Sequence, residues 1–97
     1  MIEVVFHPEA RAEYWAGWNW YHSRSPQAAA RFENELERVL DLIRANPKLF
    51  PKYEDDFRYA SLGRFPFSVI YELQPDCIYI IAVAHSARAE GYWRTRS

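Results

Sequence analysis

The sequence predicts an α+β domain of two layers, in which a helical hairpin packs on an antiparallel β-meander. Three observations lead to this class: apolar residues recur with a helical period in the first half, they follow a strand-like pattern after residue 56, and short turns join the later strands. The sheet is the surface on which the helices can bury their apolar stripes. The 97 residues suffice for one core, so we expect a single domain over residues 1–97, with the order β-α-α-β-β-β.

The first half is predicted to contain a short strand and two helices. The apolar run 2–6 predicts the N-terminal strand, and the proline at position 8 then starts a helix that should reach about His22. The serine–proline pair at residues 25–26 repeats the start signal, and the Asn-Pro pair at residues 46–47 stops the second helix. Because few residues separate the two helices, they should form an antiparallel hairpin.

Each predicted helix carries an apolar stripe with spacings of three and four residues. The first stripe consists of Ala10, Tyr14, Trp15, Trp18 and Tyr21. The second consists of Ala29, Phe32, Leu36, Val39 and Ile43. We expect both stripes to face the sheet.

The second half is predicted to be a loop over residues 47–56 followed by three strands. The strands are expected at Phe57–Leu62, Phe65–Leu73 and Cys77–Ala84. Short turns between consecutive strands make the sheet an antiparallel meander. The last strand lacks an apolar–polar alternation, so it should be central and covered on both faces, with the C-terminal tail or another protein covering the second face.

Composition argues against several functional classes. With 3 Gly there is little material for a phosphate-binding loop, and the 3 His lie on separate predicted elements, so we expect no cofactor and no metal site. The single cysteine, Cys77, cannot form an internal disulfide. No signal peptide and no membrane-spanning run is recognisable, which predicts a cytoplasmic protein without a membrane partner.

Candidate chemistry is concentrated after the last strand. In a meander, His85 and Arg88 should lie near the start of the preceding strand and so near Arg64. Arg58 lies on the second strand, while Tyr71 is expected nearer the opposite end of the sheet. Acidic residues predominate in the first half and basic residues in the second, which is compatible with a local anion-binding site in the second half. The alternative to a functional role is that Arg58 and Arg64 are solvated surface arginines and that His85 makes a structural hydrogen bond.

Aromatic residues make up 18% of the chain, so some are expected at the surface, where they commonly mark interfaces. The tail alternates aromatic and basic residues, an arrangement that suits base stacking and phosphate contact but could also simply cover the sheet. The candidates for binding a target or a partner are Arg58, Trp93, Arg94, Arg96, Trp15 and Trp18, and Trp20 is a further anchor candidate if it is exposed.

The segments FPFSVIYE at residues 65–72 and IYIIAVAHSAR at residues 78–88, together with the Tyr-Trp tail, resemble the RelE/ParE superfamily of bacterial toxins. The resemblance covers nearly the whole chain. It implies a toxin of a type II toxin–antitoxin module, which inhibits bacterial growth, is neutralised by a cognate antitoxin and meets operator DNA only through that antitoxin.

The superfamily implies two activities. A RelE-like member would cleave ribosome-bound mRNA, and the residues that match its site are His85, Arg88, Arg64 and Tyr92. Those nucleases carry an arginine where this chain has Ser68, so the expected phosphate clamp is missing. A ParE-like member would bind and poison DNA gyrase, which we favour. An inactivated toxin that acts only as a binding partner and an unrelated α+β interaction domain are the remaining alternatives.

Overall fold

The computed structural model describes residues 2–96, which form five strands, two helices and a terminal 3-10 turn. The helices are α1 (Pro8–Arg24) and α2 (Pro26–Ala45). The strands are β1 (Glu3–Phe6), β2 (Lys52–Glu54), β3 (Phe57–Ser61), β4 (Phe67–Leu73) and β5 (Cys77–His85), and the 3-10 turn is Arg94–Arg96. None of the helices in this part of the chain is long and apolar enough to span a bilayer.

The strands form one sheet in the order β1-β5-β4-β3-β2, and the helical hairpin packs on one of its faces. Consecutive strands from β2 to β5 pair antiparallel, whereas β1 pairs parallel with β5. The predicted α+β architecture, with its helical hairpin and its meander, is confirmed. The predicted central position of the last strand is also confirmed, since β5 lies between β1 and β4.

Local capping signals produce the helical hairpin. The His7 ring accepts a hydrogen bond from the backbone N–H of Glu9 at 3.0 Å, which satisfies one of the free donors at the start of α1. Ser25 alone separates the helices: its N–H bonds the carbonyl of Tyr21, and its hydroxyl accepts from the N–H of Ala28 at 3.2 Å. One residue therefore ends α1 and caps α2.

The two helices contribute unequally to the core. The predicted stripe of α2 is fully buried, with Phe32 and Ile43 at 0% exposure. On α1 only Ala10 and Gly17 are buried, and the larger aromatic residues are half-buried or exposed. The sheet contributes Val69, Tyr71, Ile78, Ile80 and Val83 to this core.

Several boundaries differ from the sequence prediction. β3 ends at Ser61 rather than at Leu62, and β5 extends to His85 rather than ending at Ala84. Residues 52–54, predicted as loop, form the edge strand β2. This strand is too short to show a periodic pattern in the sequence, and a tight turn at Asp55 (φ 48°) pairs it with β3. β4 begins at Phe67 rather than at Phe65, because the N–H of Phe65 bonds the carbonyl of Leu62 in the turn and Pro66 has no N–H to donate. The first helix extends to Arg24.

A bulge in β5 shapes the second face of the sheet. Ile70 pairs with Ala82 but Tyr71 pairs with Ile80, so Ile81 is an extra residue. Ile81 and Ala82 consequently both join the apolar cluster on the face away from the helices. Trp93 of the C-terminal tail packs on this cluster at 3% exposure, so the tail covers the second face, as one of the two alternatives predicted.

Candidate functional site

A cleft of about 300 Å³ lies where α1 passes the end of β5, and we call it the α1–β5 cleft. Its position follows from the sheet register, because Phe67 pairs with His85 and the N–H of Ser86 donates to the carbonyl of Pro66 at 2.8 Å. The residues that line it with apolar surface are Ala16, Gly17, Trp20, Tyr21, Pro66, Phe67 and Val83. The residues that line it with polar groups are Glu13, His85, Arg88 and Tyr92.

The carboxylate of Glu13 is the centre of the polar end. One oxygen accepts from the backbone N–H of Val83 at 3.0 Å and from the guanidinium of Arg96 at 2.9 Å. The other accepts from the hydroxyl of Tyr92 at 2.6 Å and from Arg96 at 2.9 Å. The Glu13 and Arg96 side chains are 14% and 8% exposed, so this is a nearly buried and fully hydrogen-bonded ion pair.

The Glu13 and Arg96 side chains bond the backbone of β5 beyond the end of β1. The last residue of β1, Phe6, pairs with Ile80, and β5 runs on without a neighbouring strand on that side. There the carbonyl of Ile81 accepts from Arg96 at 3.2 Å and the N–H of Val83 donates to Glu13. These two side chains therefore satisfy backbone groups that a longer β1 would have paired.

The ring of Tyr92 lies within the same cluster. Burial raises the pKa of its phenol above the usual range, and the hydrogen bond to Glu13 adds to the effect. Tyr92 is therefore a neutral hydroxyl whose proton is directed at Glu13. The guanidinium of Arg88 lies 3.9 Å from the centre of the Tyr92 ring and 3.7 Å from a Glu13 oxygen.

His85 lies at the rim of the cleft with an exposed side chain. Its ring packs edge-on against Phe67, with 4.9 Å between the ring centres. Its Nδ1 accepts a hydrogen bond from the N–H of Ala87 at 2.9 Å, which places the proton of the neutral imidazole on Nε2. In this arrangement the Nε2 atom is a hydrogen-bond donor toward solvent and has no lone pair with which to accept a proton.

Comparison with known families identifies the chain. Residues 4–90 match the family described as the ParE toxin of type II toxin–antitoxin system, parDE. The chain belongs to the ParE toxin family. No curated protein matches it in sequence.

Two solved structures share the fold of this ParE toxin. One is from the chromosomal ParDE toxin–antitoxin system of P. aeruginosa, with a TM-score of 0.64 and 17% identity over 88% of this chain and 96% of that one. The other is the YoeB dimer from Staphylococcus aureus, with a TM-score of 0.61 and 13% identity over 87% of this chain and 95% of that one. At these identities the likeness concerns the fold alone.

Among the residues predicted for a nuclease, the ParE toxin brings three together. His85, Arg88 and Tyr92 line the α1–β5 cleft, whereas Arg64 is exposed in the turn before β4 and does not line it. Ser68 lies on the second face of the sheet, in a surface depression of about 310 Å³ that His85, Arg88 and Tyr92 also line. Tyr71 is buried at the other end of β4, and its hydroxyl donates to the carbonyl of Pro47 at 2.8 Å.

Most residues predicted to bind a target or partner make contacts within the toxin fold. Trp93 is buried edge-on against Phe57 with 4.8 Å between ring centres, so it is not presented to a partner. Arg96 forms the nearly buried ion pair with Glu13 described above. Arg58 donates to the carbonyl of Phe50 at 2.7 Å and so holds the loop after α2, while Arg94 forms an ion pair with Glu54.

Exposed aromatic residues of the ParE toxin lie on α1 and, as Tyr53 and Tyr59, on β2 and β3. Trp15 and Trp20 are 48% and 53% exposed, and Trp18 is half-buried, stacked on His22 with 4.7 Å between ring centres. Binding roles for Trp15 and Trp18 stay predictions. Among residues 2–96 no group of three His, Cys, Asp or Glu side chains is arranged to hold a metal ion.

Glu13 is a residue of the candidate site that sequence reasoning missed, since it lines the α1–β5 cleft. It lies three residues after Ala10 and four before Gly17, the two buried residues of α1. A carboxylate at that spacing is on the buried face of the helix and requires a cation or several donors. That signal was available in the sequence, although the identity of the partner, Arg96, was not.

Proposed function

We propose that this ParE toxin inhibits bacterial growth by binding DNA gyrase and that its cognate antitoxin prevents this binding. The observation that carries the proposal is the engagement of Glu13 with Tyr92 and Arg96, which ties up groups that a nuclease would need free. The family supports the toxin role, and the ParDE system implies a ParD-type antitoxin as partner.

The chemistry of RNA cleavage explains why these contacts favour binding over hydrolysis. Attack of a ribose 2′-OH on phosphate needs a base, a cation to stabilise the developing charge, and an acid. The Nε2 atom of His85 carries a proton in the neutral ring and so cannot serve as the base, and the Tyr92 proton is donated to Glu13. Ser68 supplies no charge on the second face. A surface that binds gyrase needs none of these groups in a reactive form.

A ribosome-dependent mRNA endonuclease is the second candidate. It is favoured by one observation: the α1–β5 cleft gathers His85, Arg88 and Tyr92 on one surface. For cleavage, the phosphate would have to draw Arg88 away from Glu13, and the His85 ring would have to release the N–H of Ala87. An inactivated toxin that retains only antitoxin binding is the third.

The proposal also implies where the toxin acts. Gyrase is a cytoplasmic target, so we expect the toxin to work in the cytoplasm. Its net charge of −1 gives no general attraction to DNA, so contact with operator DNA is expected only through the antitoxin.

The deciding experiment compares the two targets directly. The wild-type protein is expressed with and without the adjacent antitoxin gene, then purified and added to gyrase supercoiling assays and to translating ribosomes. We expect growth arrest without antitoxin, loss of supercoiling and intact mRNA. His85→Ala should retain gyrase inhibition.

Codon-linked mRNA cuts with unaffected gyrase would overturn the proposal in favour of the nuclease. His85→Ala should then lower cleavage by about 10²–10⁴-fold. Normal growth at verified soluble expression would instead identify an inactivated toxin.

A further inference from the structure

A groove of about 260 Å³ runs between α1 and α2, and we call it the hairpin groove. It shares no lining residue with the α1–β5 cleft. Its lining combines apolar, aromatic and charged side chains, which are Phe6, Arg11, Tyr14, Trp15, Glu33, Leu36, Glu37 and Leu40. The groove is therefore a separate surface, to which the arguments for gyrase binding and for RNA cleavage assign no role.

The aromatic surface open to a ligand in the groove is that of Trp15, which is 48% exposed. Its ring meets the rings of Tyr14 and Trp18 in T-shaped contacts, with 5.1 and 5.8 Å between ring centres. By contrast, the Tyr14 ring is stacked on Phe32 and the Trp18 ring on His22. Within residues 2–96 no ring is stacked face-to-face on Trp15, so a planar ligand can cover this indole.

Two carboxylates line the same groove from α2. Glu33 and Glu37 lie one helical turn apart, and Glu33 accepts a hydrogen bond from the indole N–H of Trp18 at 3.2 Å. After burial, their negative charges contribute to the raised pKa of Tyr14 in the groove wall. In the described part of the chain neither carboxylate forms an ion pair, so both can still accept hydrogen bonds from a cation.

One cationic side chain of the toxin also lines the groove. The guanidinium of Arg11 lies 5.7 Å from the centre of the Phe6 ring, and over residues 2–96 it forms no ion pair with Glu33 or Glu37. Two carboxylates against one guanidinium leave the lining with an excess of one negative charge. A cation complements this excess, whereas an anion would be repelled by both carboxylates.

We propose that the hairpin groove binds a small organic cation with a guanidinium head group, which stacks on Trp15 and donates hydrogen bonds to Glu33 and Glu37. A guanidinium is planar, carries several N–H donors and is weakly hydrated, whereas an ammonium is a compact and strongly hydrated charge. The volume of about 260 Å³ lies below the usual range of ligand pockets, which limits the ligand to one head group with a short alkyl chain. The inference does not depend on the target proposed above.

Matched small probes test the charge and the shape of the ligand. Butylguanidinium and butylurea have nearly the same shape, but only the first is charged. In NMR titrations of the purified full chain, we expect butylguanidinium to shift the indole N–H signals of Trp15 and Trp18 with a dissociation constant on the order of 1 mM. Butylurea should bind about tenfold more weakly, and butylammonium about threefold more weakly. Trp93, buried on the second face of the sheet, is the internal control.

Two charge variants should change the affinity for butylguanidinium in opposite directions. Glu37→Gln should weaken it about fivefold and leave butylurea unchanged, because only the cation uses the charge. Arg11→Gln removes the like charge and should strengthen it about twofold or more. Glu90→Gln is the matched control, since Glu90 is an exposed carboxylate after β5 that does not line the groove, and it should change neither probe.

A third variant tests the stacking surface. Trp15→Leu keeps an apolar side chain but removes the indole, and it should weaken butylguanidinium about fivefold. Trp20→Leu makes the same change at a 53% exposed position of α1 outside the groove, so it should leave the affinity as in the wild type.

Three results would overturn the inference. They are equal binding of butylguanidinium and butylurea, an unchanged affinity in both Glu37→Gln and Trp15→Leu, and shifts that appear at Trp93 instead of Trp15 and Trp18. A capped Gly-Arg-Gly peptide tests the source of the guanidinium. It should bind no more tightly than butylguanidinium, and a tenfold tighter peptide would replace the small ligand with an arginine of a protein. If Trp15→Leu failed to fold, Glu37→Gln with the charged and neutral probes would decide by itself.

Discussion

Glu13 on the first helix and Arg96 at the end of the described chain form two parallel hydrogen bonds of 2.9 Å, 83 residues apart in sequence. A carboxylate and a guanidinium in this geometry make a bidentate pair, which is the strongest class of ion pair. The pair fixes the tail on the sheet and closes the polar end of the α1–β5 cleft. It links the stability of the fold to the shape of the candidate site.

The first prediction concerns this pair. Glu13→Gln removes the negative charge and leaves the nearly buried Arg96 with only the exposed Glu9 carboxylate nearby, so the free energy of unfolding should fall by roughly 3 kcal/mol. Glu9→Gln is the matched control, since Glu9 lies 3.7 Å from Arg96 but is 67% exposed, and it should cost less than about 1 kcal/mol. Urea titration measures both. Equal midpoints for the two variants would show that Glu13 is not the counterion on which the tail depends.

The second prediction tests the buried face of α2. Leu36 is 4% exposed, so Leu36→Ala should lower the free energy of unfolding by about 2–5 kcal/mol. Leu42 on the same helix is 38% exposed, and Leu42→Ala should cost under about 1 kcal/mol. Chemical denaturation of the two proteins provides the comparison, and a larger loss at Leu42 would refute the orientation of the helix.

The third prediction concerns the turn that directs the tail. Gly91 has φ 74°, and a Cβ there would overlap the guanidinium of Arg94. Gly91→Ala should cost about 1–2 kcal/mol for the backbone alone and a further amount for displacing Arg94 from Glu54. Near-ultraviolet circular dichroism of Trp93 should report a disturbed tail.

Two further variants separate the backbone effect from the overlap. Gly63→Ala has a similar φ of 63°, but its Cβ would meet only the carboxylate end of the flexible Glu35 side chain, so it should show the backbone cost without a change at Trp93. Adding Arg94→Ala to Gly91→Ala should recover part of the loss. If the double variant is no more stable than the sum of its single changes predicts, the overlap with Arg94 is unimportant.

The fourth prediction concerns alkaline pH. Burial, and then the carboxylates of Glu33 and Glu37, raise the pKa of Tyr14 from 10.0 to about 12. Between these values the unfolded chain loses the proton while the folded chain keeps it, so stability should fall as pH rises from about 10 to about 12. Tyr14→Phe should show a shallower decline in urea midpoints than the wild type.

The control for this pH effect is the exposed Tyr59. Tyr59→Phe removes an exposed phenol from β3, next to the edge strand β2, and should leave the wild-type decline in urea midpoints unchanged. Identical slopes for Tyr14→Phe and Tyr59→Phe would contradict the assignment to Tyr14.

Local signals made much of the fold predictable. Pro8, Ser25 and Pro26 define the helix starts through backbone groups within a few residues, and the α2 stripe is a periodic pattern over twenty residues. The turn before β5 is likewise encoded in neighbouring residues. Such features depend on short-range chemistry, which a sequence displays directly.

The remaining features depend on contacts between distant residues. No pattern in Glu3–Phe6 specifies a parallel pairing with β5, and none in the tail specifies that Trp93 faces inward rather than outward. The same holds for the candidate site. His85 and Arg88 could be recognised from their position at the end of the last strand. Arg96 looks like a surface charge in the sequence, because its partner Glu13 is 83 residues away.

The parallel pairing of β1 with β5 governs the order in which the molecule can form. Glu3 lies beside Cys77, so β1 has no partner strand until β5 has been synthesised. The helical hairpin can assemble early from local contacts, whereas the sheet and the α1–β5 cleft must wait for this long-range closure. A chain that does not yet extend through β5 therefore cannot complete the sheet or the α1–β5 cleft.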